Sequence, residues 1–245
     1  MGLEISLAPG IIFMIGSFPV TNTLFWSFFI SLFLILVFLT TRKKMKLVPG
    51  RIQNIIEILI GGSYDFVGTI TNDEKKTKRL FPLVFTMFIF TMTANLATLI
   101  PGQSAITLNR AGGSVALFRA VMSDYGMVLV MTLIAIILVQ IVAIIVNGPF
   151  GYLKKFINFK SPLDCFLGIM DLVGEIAKIL SLSFRLFGNI FAGEVLTAVM
   201  LFLMPFFAPL PFMFLGILTS IVQAFVFSVL TLVFVSMASE IEEVE

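Results

Sequence analysis

The chain has no histidine, a single cysteine and one tryptophan, and only 12% of its 245 residues are charged. Without histidine it lacks the side chain that titrates near neutrality and the commonest transition-metal ligand, so any proton chemistry falls to carboxylates and water. One thiol, Cys165, excludes an internal disulfide framework. A glycine-rich nucleotide loop, a metal-ligand cluster and a nucleophile–base pair are all absent from the sequence. No cofactor or metal is therefore expected, nor a catalytic centre of the chain's own. The first twenty residues carry Glu4 and no basic run, which does not read as a cleaved leader. What is present is 59% hydrophobic with a mean hydropathy of +1.10, outside the range of a soluble domain. The expectation is an all-α polytopic membrane protein forming one membrane domain over residues 1–245.

A bilayer core of about 30 Å needs about 20 apolar residues at 1.5 Å each. Three charge-free stretches meet that requirement, residues 21–41, 80–100 and 125–147. Between the first two, residues 52–67 place Gln53, Glu57 and Asp65 on one helical side and Ile52, Ile55, Ile56, Leu59 and Ile60 on the other. This segment is too short and too amphipathic to span, and reads as an interfacial helix or a shallow hairpin.

Basic residues set the expected orientation. Arg42, Lys43, Lys44, Lys46, Arg51, Lys75, Lys76, Lys78 and Arg79 flank the amphipathic segment, and Lys154, Lys155 and Lys160 follow the third span. Under the positive-inside rule both regions face the cytoplasm or matrix. The loop at 101–124 has only Arg110 and Arg119 and goes outside with the N-terminus. The three spans then alternate without conflict.

The last third departs from this pattern. Ser161, Pro162 and Asp164 make a helix start, with an N-cap hydroxyl, a proline in the first turn and an acid beside it. No further proline occurs before Pro205. One helix over 162–204 would be about 64 Å long, twice the bilayer core, and must tilt strongly or run partly along the interface. A separate surface helix ending near Gly174 is the alternative. Pro205, Pro209 and Pro211 then form a turn, and residues 211–239 return as an uncharged helix ahead of an acidic tail, Glu240, Glu242, Glu243 and Glu245, on the inner side.

Within the long helix stands Arg185, in the run SLSFRLFGNIFAGE at 181–194. A guanidinium keeps its proton, and setting one at mid-membrane costs about 2.5–3.5 kcal/mol even on lenient scales. At 100° per residue, Asp171, Lys178, Ser181 and Asn189 project within about 40° of it, with Glu175 somewhat further round. Glu194 points about 180° away and about 13.5 Å further along, so the two cannot pair within the helix. Gln223 on the returning helix comes within reach of Asn189 or Arg185. The spans at 21–41, 80–100, 125–147 and 215–239 hold no acid to neutralise Arg185, which points to a carboxylate on another subunit. Blander readings stand beside these. Glu194 also suits a membrane-edge carboxyl, Asp171, Glu175 and Lys178 a solvated helix end with internal ion pairs, and Asn95 and Gln140 interhelical hydrogen-bond glue.

The run at 181–194 closely resembles the signature of subunit a of the F-type ATP synthase membrane sector. PGRIQNIIE, FPLVFTMFIFTMTANLATLIP and IVQAFVFSVLTLVFVSMAS resemble further segments of that family, so the likeness extends from about residue 21 to residue 239. The resemblance implies a stator subunit providing two proton half-channels against a ring of c subunits, coupling proton translocation to rotation. It implies five transmembrane helices, the last two forming a long, strongly tilted hairpin. Arg185 matches the essential arginine that separates the half-channels. Asn189 and Glu194 match polar positions of the outer channel, Gln223 the glutamine facing the arginine, and Asp171 an acid near the inner exit, where Glu175 also lies. The implied partners are the c-ring, the b subunits of the peripheral stalk, other ATP synthase subunits and the lipid bilayer, with no nucleic acid. The implied location is an energy-transducing membrane, bacterial or mitochondrial inner. Gly216 stands where many relatives have histidine or glutamate, and Thr98 where they have glycine or an acid, which leaves the outer route to Glu194 and water. A self-contained secondary transporter would need matching repeats and broken helices, and a scaffold would pair its polar groups internally.

Overall fold

The computed structural model describes residues 9–46, 48–99, 107–110, 113–116, 118–156, 162–204, 207 and 209–239. Expectations for Glu4, Lys160, Ser161, Pro205 and the acidic tail lie outside these residues. Six helices carry the fold: α1 (Asn22–Lys44), α2 (Arg51–Thr71), α3 (Glu74–Ala97), α4 (Tyr125–Phe156), α5 (Pro162–Leu203) and α6 (Pro209–Ser239). All but α2 are long and apolar enough to cross a membrane.

Local chemistry explains most of the boundaries. Thr21 caps α1 by accepting from the Leu24 amide at 3.3 Å, and Asp73 caps α3 by accepting from the Lys75 amide at 2.8 Å. Asn72 ends α2 in the left-handed region at φ 51°, its amide donating to Gly68 O at 3.0 Å. At Gly148 φ reaches 72°, a conformation that glycine adopts without steric cost, and the following Pro149 also steers that residue away from helical ψ. Beyond this break the chain continues helically to Phe156, further than the span expected from the sequence.

Two small antiparallel hairpins were not foreseen. They pair β1 (Ile11–Ile15) with β2 (Phe18–Thr21), and β3 (Thr107–Arg110) with β4 (Gly113–Ala116). The first runs straight into α1 and the second lies in the α3–α4 connection, so both mark one end of the bundle, here called the strand end. The other, basic end holds Arg42, Lys43 and Lys44 of α1 and the start of α3. A 3-10 turn, Val121–Ser123, precedes α4 and packs against α1, α3, α4 and α5.

Helix α5 runs unbroken from Pro162 to Leu203, through Gly174, and returns antiparallel as α6. Its buried stripe is Leu182, Leu186 and Ile190, one turn apart, set in a core with Ala94, Val128 and Phe227. A second cluster nearer the basic end joins Val67 of α2, Leu80 and Val84 of α3, Val139 of α4, and Leu232 and Val235 of α6. By contrast α1 leaves Phe28, Phe33 and Phe38 exposed, a surface suited to lipid tails.

Candidate functional site

Arg185 lies on an exposed face of α5. Its contact within the chain is the Ser181 hydroxyl one turn below, 3.4 Å from the guanidinium, and among the described residues it forms no ion pair. Leu182 and Leu186, which flank it in sequence space by three and one residues, turn into the core and hold the helix so that the guanidinium stays outside.

One turn toward the strand end, the Asn189 side-chain amide donates to Gln223 Oε1 at 2.7 Å, tying α5 to α6. Gln223 is buried and Asn189 exposed, so the pair joins the packed interior to the open face. Next to it opens a cleft of about 590 Å³ between α5, α6 and the end of α3. Asn189, Glu194, Thr98, Gly216, Thr219 and Ser220 contribute to its wall, among many apolar groups. Glu194 is half-buried, with Ser123 of the 3-10 turn and Arg119 near its carboxyl; the Ser123 hydroxyl itself donates to Ala120 O at 3.0 Å. Gly216 shares the cleft wall, and because a Cβ there would meet Leu99 Cδ2 at 3.0 Å, the glycine is what lets Leu99 pack this close.

The cleft is framed by buried polar bonds. The Asn95 amide donates to Ser220 O at 3.2 Å, joining α3 to α6, so Asn95 acts as interhelical glue. Behind the 3-10 turn, the Thr23 hydroxyl donates to buried Asp124 at 2.7 Å, and the other oxygen of Asp124 accepts from the Gly126 amide at 2.9 Å.

Toward the basic end the chemistry changes. Glu175 binds the Gln140 amide of α4 at 2.9 Å through one oxygen and the Lys178 ammonium at 2.8 Å through the other. Lys178 also sits 5.0 Å above the Phe234 ring of α6. Asp171, a turn further, is exposed. The structure therefore brings Asn189 and Glu194 to one cleft with Gln223 bonded to Asn189, keeps Arg185 on the neighbouring open face, engages Glu175 in a separate cluster, and leaves Asp171 apart. Sequence reasoning passed over Ser123, Arg119 and Ser220, which reach the site from the 3-10 turn, its approach and α6. Polarity beside the start of α4 was the only signal available for the first two.

Five span-length apolar helices among the described residues define a multi-pass all-α membrane protein, with an arginine on the open face of α5 and a cleft between α5 and α6 beside it. Residues 23–236 match the ATP synthase A chain family, and the chain belongs to that family. It is 33% identical to ATP synthase subunit a of Moorella thermoacetica over 92% of this chain and 94% of that one. It is 36% identical to ATP synthase subunit a of Desulfotalea psychrophila over 88% and 83% of the two chains. With ATP synthase subunit a 2 of a Picosynechococcus strain it shares 34% identity over 78% and 73%.

Proposed function

We propose that this chain is the stator subunit of a rotary ATP synthase, working against a ring of c subunits beside the b subunits of the peripheral stalk. The strand end faces outside and the basic end faces the cytoplasm or matrix, in line with the positive-inside rule. Protons enter from outside by the cleft, pass Glu194 and Asn189 beside Gln223, and protonate a ring carboxylate. After nearly a full turn of the ring they leave by a second half-channel near Asp171 and Glu175.

Arg185 divides the two routes. Its fixed charge attracts each deprotonated ring carboxylate as it passes and repels a proton crossing directly. That attraction must stay modest, since a dry, geometrically ideal ion pair would hold the rotor in place. The observation that carries this reading is the exposure of Arg185, which among the described residues has the Ser181 hydroxyl as its hydrogen-bond partner and no ion pair. A transporter working alone or a scaffold would have provided an internal counter-charge.

The test is ATP-driven ion pumping by membrane vesicles containing the whole complex. Arg185→Ala is expected to abolish pumping while blots show normal subunit content. Pumping at the natural rate would overturn the reading.

A further inference from the structure

Lys178 raises a difficulty for a stator with one working cation. Two helical turns separate it from Arg185, so on α5 it projects within about 20° of the same direction and about 10.5 Å nearer the basic end. Its side chain is 33% exposed. Left to itself it would offer a passing anion a second attractive charge. Glu175 meets it at 2.8 Å, and the Phe234 ring lies under it at 5.0 Å, so the ammonium is drawn toward α6. Gln140, donating to the second carboxylate oxygen at 2.9 Å, fixes Glu175 from the α4 side.

We propose that Glu175 is a charge-cancelling positioning residue, which neutralises Lys178 and leaves Arg185 as the single uncompensated cation that the ring carboxylate meets on this face. The proposal rests on the stator reading above and refines it. Both oxygens of Glu175 are held by donors, so Glu175 borders the inner route without carrying protons along it, and exposed Asp171 is the inner carboxyl open to water. Removing the charge of Glu175 then exposes a second trap. At an effective dielectric constant of about 20, unit charges about 10 Å apart interact strongly enough to change a rate on the order of tenfold.

The experiment uses vesicles carrying the whole complex, with Arg185→Ala as the control for the stator reading. Glu175→Gln keeps the shape of the side chain and its capacity to accept a hydrogen bond, and is expected to slow ATP-driven pumping on the order of tenfold at normal subunit content. Adding Lys178→Gln removes the stray cation and is expected to restore pumping to within about twofold of the natural rate. A double variant as slow as Glu175→Gln would show that Glu175 itself carries protons. Subunit content falling in step with pumping would show a structural clamp instead, and an undisturbed Glu175→Gln would show no role. Each of these three results overturns the proposal while leaving the Arg185 control intact. Normal pumping by Arg185→Ala sinks the stator reading and this one with it.

Discussion

On the strand side of Arg185, Asn189 and Glu194 border a cleft of about 590 Å³, while on the basic side Glu175 and Lys178 are engaged with each other and with Gln140. Both stretches belong to one helix and both bring polar groups into an apolar setting. They differ in what lies across from them. Toward the strand end, α6 presents Gly216 and Ser220, small residues that leave space. Toward the basic end, α4 and α6 present Gln140 and Phe234, which fill it. The cleft is therefore made by the neighbours of α5 as much as by α5 itself, and Arg185 sits at the boundary between the open stretch and the tied one.

The largest break in that comparison, after loss of Arg185 itself, comes from removing the carboxyl of the open half. Glu194→Gln keeps the size of the side chain and removes the only titratable group bordering the cleft among the described residues. Positioned proton-transfer groups typically contribute at least about a hundredfold. ATP-driven pumping is expected to fall by more than about tenfold, with the complex assembled. Near-natural pumping would mean that water alone relays protons through the cleft.

A smaller effect would come from filling the space. Gly216→Leu adds bulk to the cleft wall, its Cβ 3.0 Å from Leu99 Cδ2, another residue of that wall. Pumping is expected to fall a few-fold, and Leu99→Ala in the same chain to recover much of the loss, since contacting residues couple. If the pair of substitutions behaves additively, the route does not pass this point.

Much of this contrast was legible before the fold. The unbroken run from Pro162, the charge-free spans and the angular spread of Arg185, Asn189 and Glu194 follow from periodicity, because they are properties of single helices. Asn95 and Gln140 were readable as hydrogen-bond partners in general, although their acceptors, Ser220 O and Glu175, were not. Those pairings depend on the register between helices, which helix periodicity does not encode. The extended strands at Ile11–Ile15 and Thr107–Arg110 were missed for another reason. They are short segments in loops, where no long hydrophobic pattern marks them. Ser123 comes near Glu194 because the turn before α4 is wedged between four helices, a placement that no single-helix pattern carries.

That wedge provides the mildest test of the contrast. The 3-10 turn packs against α5, and next to it lies the bond from Thr23 to Asp124, 2.7 Å long and buried. Helix α1 otherwise presents mostly exposed apolar surface, so this contact is a main polar link from α1 to the rest of the bundle. Thr23→Val preserves the branched shape but takes away a donor from a buried carboxylate, whose Gly126 amide bond remains. A hydrogen bond to a charged group is worth about 1.5–3 kcal/mol. The variant is therefore expected to lower the thermal midpoint of the solubilised complex, while pumping at growth temperature stays within about twofold of the natural rate, since no group bordering the cleft is altered. A drop in pumping as large as that of Glu194→Gln, with the midpoint unmoved, would place Thr23 and Asp124 on the proton route itself and extend the open half of the molecule behind the turn.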